Sequence, residues 1–178
     1  MITVSHRKES VMKTQGMTLI ELLSTLAVTA VLGLVAVPSL YETLQSHRLR
    51  SSALTLFQTL SSARASAVMR SSHVSVWNTD GNWQNGVEVF LDNNENGELN
   101  SGEQVLYRAT PQNYSQISGN RWVANYIKFH PDGSAHTASG AFQVGTITVC
   151  TEQLDRGYQI ILSIGGRLRM VKVDIDEC

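Results

Sequence analysis

Gly16-Met17-Thr18-Leu19-Ile20-Glu21 opens an almost unbroken apolar run that ends at Tyr41, and between Met17 and Leu40 the only charged side chain is Glu21. As a helix rising 1.5 Å per residue, this run spans roughly 35 Å, enough to cross a hydrocarbon core of about 30 Å. Glu21 falls in the first turns of that span. A carboxylate inside a membrane costs on the order of 2.5 to 3.5 kcal/mol on insertion scales, so it reads as a functional group with a partner. The alternative is a signal anchor whose Glu21 merely lies at headgroup level. A cleaved secretory signal is disfavoured, because the run is too long and has no small-residue cleavage site at its far end. Arg7, Lys8 and Lys13 precede it. They keep the N-terminus cytoplasmic and send the bulk of the chain to the other side.

Lys13-Thr14-Gln15-Gly16, followed by Met17-Thr18-Leu19-Ile20-Glu21-Leu22-Leu23, resembles the class III signal of type IV pilins and pseudopilins. Residues 1–16 are then a leader, with Met12 as a second candidate start. The resemblance implies cleavage between Gly16 and Met17 by a prepilin peptidase on the cytoplasmic side, and N-methylation of the new terminus. Met17 departs from the usual Phe. The chemistry stands beside the family: cleavage creates an ammonium at Met17, and a neighbouring subunit's helix can set its Glu21 carboxylate against it. In a low-dielectric setting that pairing offsets two burial penalties and fixes the axial register between subunits.

The chain has 178 residues and a formal charge of -1. Losing residues 1–16 removes Arg7, Lys8, Lys13 and Glu9, which leaves the remainder more acidic. No global basicity points to nucleic acid, so any such site is a local patch. Cys150 and Cys178 lie in the exported part, where oxidation is permitted. They are expected to pair, against the readings of two buried free thiols or a zinc half-site. Of the five histidines, His6 lies in the leader, and His130 and His136 bracket a Pro-Asp-Gly-Ser turn where no metal is expected. No HExxH, GxSxG or P-loop occurs. No catalytic residue is assigned, and the chain is read as not an enzyme.

Beyond Pro38 the pattern turns amphipathic. Leu49, Ala53, Leu56, Leu60, Ala63 and Ala67 recur at spacings of four and three, and Leu54, Phe57 and Val68 widen the stripe. Gln45, Arg48, Arg50, Ser52, Gln58 and Ser62 suit the solvent side. No Gly or Pro interrupts Ser39 to Ser72, so one helix is expected from about Met17 to about Ser71, with Pro38 kinking it or melting its membrane half. Residues 17–41 form the membrane part and 42–72 the amphipathic part. Residues 73–178 read as β: His73–Trp77, Gly86–Leu91, Gln104–Arg108, Arg121–His130, Ala141–Cys150, Gly157–Ile164 and Arg167–Ile175. The fold class is α+β, a long N-terminal helix against antiparallel sheet.

This half is similar to the FimT/FimU and type II secretion H-type (GspH/FimT) branch of the pilin-like proteins. The residues that carry the likeness are Trp83 to Leu91, the turn Asp92 to Glu98, Gly102-Glu103, Phe129-His130-Pro131-Asp132-Gly133 and Gly166-Arg167-Leu168-Arg169. The likeness implies a minor pilin-like subunit in the inner membrane, with its globular part in the periplasm and in a pilus after assembly. Its partners would be other pilins or pseudopilins. The alternative is an H-type minor pseudopilin of a type II secretion system.

Two motifs carry further chemistry. Asp92, Asn94, Asn96, Gly97 and Glu103 fill the calcium-loop spacing D-x-[DN]-x-[DN]-G-x5-E. The flanks are strands rather than helices, and turn chemistry explains Asn and Gly equally well. The expectation is therefore a plain loop and no cofactor, with Ca²⁺ as the alternative. In Gly166-Arg167-Leu168-Arg169, strand alternation puts Arg167 and Arg169 on one face and Leu168 and Met170 on the other. Lys172 joins the pair if the strand bulges. Two guanidinium forks side by side can grip successive phosphates. The motif resembles the GRxR of FimT-like members associated with natural transformation, which implies double-stranded DNA as a partner. The alternatives are a charged face that blunts edge aggregation, or salt bridges to Asp174, Asp176 or Glu177.

Overall fold

A computed structural model describes residues 16–110 and 115–178, and the leader basics, Met12 and Lys13 to Gln15 lie outside them. Helix α1 runs Leu19–Arg70 with Pro38 inside it, so of the two outcomes expected at Pro38, a kink or local melting, the melting is not seen. Thr18 starts it: its Oγ1 accepts the Glu21 N–H at 3.3 Å and its carbonyl accepts from Leu22 N at 3.1 Å. Thr18-x-x-Glu21 is thus a capping-box pattern, with the acid at the positive end of the helix dipole. Ser71, at φ +49°, ends the helix as the left-handed residue of a Schellman motif. There Ser72 N donates to Ala67 O at 3.2 Å and Ser71 N to Val68 O at 3.3 Å.

The chain divides into two compact units between Leu40 and Tyr41. In the first, the large apolar side chains are exposed, Leu19 at 77% and Leu34 at 78% among them. By length and composition this helix can cross a membrane.

In the second unit the strands are β1 (Val74–Trp77), β2 (Val87–Leu91), β3 (Val105–Ala109), β4 (Gln116–Gly119), β5 (Tyr126–Phe129), β6 (Gly145–Cys150), β7 (Arg156–Leu162) and β8 (Leu168–Asp174). They form two four-stranded sheets, ordered β3-β2-β1-β5 and β4-β6-β7-β8, and every pairing is antiparallel. Leu49, Ala53, Leu56, Leu60, Ala63 and Ala67 are all buried, and they share one core with Val76, Val89, Ile127 and Phe129 of the first sheet and Ile147, Val149, Ile160 and Leu162 of the second. The Tyr107 hydroxyl, whose pKa burial raises, donates to Thr59 O at 2.9 Å and ties β3 to the helix.

Several expectations are corrected. Gln45 and Ser52 are buried rather than solvent-facing. They lie three or four residues from Leu49 and Leu56, and a helix against two sheets buries a wider arc than one apolar stripe indicates. Val68 is 48% exposed and does not widen the core. Arg121–Val123 is a 3₁₀ turn begun by Arg121 at φ +40°, so the strand expected from Arg121 starts only at Tyr126. The strand expected from Ala141 starts at Gly145. The short polar edge strand β4 was not foreseen.

The far face of the first sheet is also covered. Ser75, Phe90, Asp92 and Lys128 alternate onto it, and all are buried. Gln143 fastens part of this polar roof: its Oε1 accepts Lys128 N at 3.0 Å and its Nε2 donates to Tyr126 O at 2.9 Å.

Candidate functional site

Strands β7 and β8 form a hairpin whose tip is Ser163-Ile164-Gly165-Gly166-Arg167. Ser163 N donates to Arg167 O and Gly166 N to Ser163 O, each at 3.0 Å. Gly165 and Gly166 stand at φ +86° and +75°, where L side chains are strained. Gly166 has a second reason to be glycine. A Cβ there would lie 2.1 Å from the Gly133 carbonyl oxygen, so the hairpin tip is pressed directly on the Pro131-Asp132-Gly133 turn.

That turn is itself closed by hydrogen bonds. Gly133 N donates to His130 O and His130 N to Ser134 O, both at 2.8 Å. Asp132 Oδ1 accepts from Ser134 N and Ser134 Oγ at 2.9 and 2.5 Å, and these bonds hold the Asp132 carboxyl below the usual range. From α1, Arg64 Nε donates to Gly133 O at 2.7 Å and its Nη2 to Gly165 O at 3.4 Å. One guanidinium thus pins both loops to the helix. Arg64 has no signature in the sequence, because its partners are carbonyls 69 and 101 residues away.

On this platform Arg167 and Arg169 are both exposed, while Leu168 and Met170 pack against the core. Arg169 sits opposite Ile161. A cleft of about 250 Å³ is lined by Ile161, Ser163, Arg167 and Arg169. A second, of about 380 Å³, lies between Arg64, Val68 and Met69 on one side and Arg167 and Leu168 on the other. No carboxylate among the described residues lines either cleft. Among the described residues, ion pairs join His73 and Lys128 to Glu95, and Arg108 to Glu88. Neither Arg167 nor Arg169 takes part in one.

The register of β7 with β8 is continuous from Arg156↔Asp174 to Leu162↔Leu168. With no bulge, Lys172 alternates onto the face of Leu168 and Met170, and it does not extend the arginine pair. Asp174 alternates with it and stands across from Arg156, lining a separate cleft with Glu42 and Asp155. Of the acids expected to oppose the arginines, Asp174 is therefore on the other face of the strand, and Asp176 and Glu177 lie beyond its end.

Cys150 and Cys178 form a disulfide. Gly16 and Met17 precede the helix and are exposed. Asp92, Asn94, Asn96 and Glu103 stand in the connection from β2 to β3. His130 and His136 come together, with ring centroids 4.1 Å apart, and His73 meets His130 edge-on at 4.5 Å. His73, Glu95 and His130 offer ligand atoms within 4.8 Å of one another. However, buried Lys128 donates to Glu95 O at 2.8 Å and lies 3.5 Å from its carboxylate, placing a fixed positive charge beside the group. Burial first, then His136, His73 and Lys128, lowers the His130 pKa.

The family described as type II transport protein GspH matches residues 52–166, more than half of the chain. The fold is similar to that of the type IV minor pilin FimU of Pseudomonas aeruginosa, with a TM-score of 0.56 and 20% identity over 71% of this chain and 90% of that one. It is also similar to the minor pseudopilin EpsH from the type 2 secretion system of Vibrio cholerae, with a TM-score of 0.51 and 13% identity over 70% and 96% of the two chains. Among curated proteins, no sequence matches.

Proposed function

We propose, because the chain belongs to the GspH family of type II transport proteins, that it is a minor pilin-like subunit which captures double-stranded DNA through Arg167 and Arg169. The family comprises minor pilins and pseudopilins of type IV pilus or type II secretion systems, whose members assemble with other pilins. Within that frame, prepilin peptidase removes residues 1–16. The helix then holds the subunit in the inner membrane by a single span before assembly, with residues 42–178 in the periplasm. Exposure of Leu19, Leu26, Leu32, Leu34 and Leu40 supports a lipid or helix-bundle environment for this segment.

The observation that carries DNA capture is the pair of exposed guanidiniums of Arg167 and Arg169, neither in an ion pair among the described residues, where the tip of the hairpin held by Arg64 runs into β8. Residues two apart on a strand are spaced by about 7 Å, so the pair reads a line of phosphates and not base edges. Affinity from such contacts falls as salt rises, because each neutralised phosphate releases counterions. For the full chain in non-ionic detergent, a salt titration of duplex binding is expected to show this fall. Arg167→Ala/Arg169→Ala should weaken binding and flatten the log–log slope by about two at most. A double mutant that binds like wild type sinks the assignment. If neither protein binds at low salt, the chain acts as an assembly subunit alone, the role of an H-type pseudopilin included.

Assembly has its own test. Thr18 and Glu21 cap the helix locally, while the intersubunit role needs Glu21 to meet the Met17 ammonium of a neighbour. Glu21→Ala is expected to leave cleavage after Gly16 intact, as read by mass spectrometry, and to reduce incorporation into filaments. Wild-type incorporation of this variant would leave Glu21 with only the capping role.

A further inference from the structure

We propose that the connection from β2 to β3, Asp92 to Glu103, binds a calcium ion. Its twelve residues carry side-chain oxygens at Asp92, Asn94, Asn96, Asn100 and Glu103, positions one, three, five, nine and twelve, with Gly97 at six. Calcium takes six to eight oxygens from such a loop, including the carbonyl of the seventh residue, here Glu98. Spacing alone is also ordinary turn chemistry. The buried carboxylate at its first position separates the two readings.

Asp92 is 1% exposed. Its Oδ2 accepts from Ser75 Oγ at 2.6 Å and from Gly97 N at 2.9 Å. Its Oδ1 is buried and accepts no hydrogen bond among the described residues. An ionised oxygen without a donor is expensive inside a protein, and a cation is the partner that removes the cost. The bond to Gly97, five residues on, folds the loop back onto this carboxylate and leaves its second oxygen available to a cation.

The side chains at the third, fifth and ninth positions gather on one another. Asn94 Nδ2 and Asn96 Nδ2 both donate to Asn100 Oδ1, at 2.6 and 2.7 Å, while Asn94 Oδ1 accepts from Asn96 N at 3.2 Å and Asn96 Oδ1 from Glu98 N at 2.8 Å. Glu103 closes the loop, its two oxygens accepting from Asn93 N at 3.0 Å and Asn100 N at 2.9 Å. The frame is braced from outside. Gly97 stands at φ +82° with the Tyr126 ring where a Cβ would sit, 2.4 Å away, and Lys128 Nζ holds the Glu95 carbonyl. Only two of the ligands are carboxylates, and Lys128 is near. The affinity therefore belongs at the weak end, with a dissociation constant on the order of 10⁻⁴ to 10⁻³ M, as in extracellular modules.

The test is Tb³⁺ luminescence sensitised by Tyr126, with Ca²⁺ competition, on the full chain in non-ionic detergent. One Tb³⁺ per chain is expected, displaced by Ca²⁺ and much less well by Mg²⁺, which demands a tighter octahedral site. Glu103→Gln and Asn96→Ala should each weaken binding on the order of tenfold, and Ca²⁺ should raise the wild-type melting temperature. Asp92→Asn also loses bonds to Ser75 and Gly97, so the two other variants decide the matter. Absence of Ca²⁺-displaceable luminescence up to about 10 mM, beyond the weak end of that range, from a chain with native circular dichroism would overturn the proposal. Luminescence unchanged in Glu103→Gln but lost in His73→Ala/His130→Ala would also overturn it, and would move the metal to the histidine cluster.

Discussion

Reduction of the Cys150–Cys178 disulfide is expected to destabilise the unit formed by residues 41–178 by about 3.5 kcal/mol, the loop entropy of a cross-link closing 28 residues. For a domain of this size that corresponds to a fall in melting temperature of about 10 °C. The bond joins the end of β6 to the last residue of the sequence and closes a loop containing β7 and the edge strand β8. The β7–β8 hairpin itself has seven residue pairs in continuous register. The loss should therefore appear first as fraying at Asp174 to Cys178, with Arg167 and Arg169 still presented at the other end. Calorimetry with and without a phosphine reductant, beside Cys150→Ser/Cys178→Ser, reads the effect. An unchanged melting temperature in a chain shown by thiol titration to be reduced would mean that the cross-link constrains nothing the fold has not already fixed.

What the sequence makes legible here is local periodicity. Spacings of four and three pick out Leu49, Ala53, Leu56, Leu60, Ala63 and Ala67, and each is buried, because a helix face repeats on the same few residues whatever packs against it. How wide that face is depends on the partner, so Gln45 and Ser52 could not be placed without knowing that two sheets share the helix. Strand β4 escaped because Gln116-Ile117-Ser118-Gly119 has one apolar residue and gains its place only through pairing with β6. The Thr18-x-x-Glu21 cap went unread although its partners are only three residues apart, because Glu21 drew attention as a membrane carboxylate. Arg64 was not readable, since it acts through backbone carbonyls brought to it by tertiary structure. Burial of Asp92 was hidden for a related reason. Alternation along β2 sends it to the far face of the sheet, and the roof that makes this face interior is built from loops remote in the chain.

Gly166→Ala is expected to destabilise the protein by about 3 kcal/mol, and its neighbour Gly165→Ala by only about 1 kcal/mol. Both residues have positive φ, so both substitutions carry the backbone penalty of the left-handed region. Around Gly165 a Cβ meets nothing within 4 Å, whereas at Gly166 it meets the Gly133 carbonyl at 2.1 Å and Ala135 N at 3.2 Å. Those atoms are backbone in a turn fixed by two 2.8 Å hydrogen bonds, so the hairpin tip must withdraw. Withdrawal stretches Arg64 between Gly133 O and Gly165 O and loosens the charge-assisted bonds of its guanidinium. Urea denaturation of the two variants measures the difference. Equal costs would show that the tip is not pressed on the turn in solution. The same pair separates position from charge in the DNA reading, since neither variant alters an arginine. If Arg167 binds phosphate only from the docked tip, Gly166→Ala should lose affinity under conditions where it remains folded, and Gly165→Ala should keep most of it.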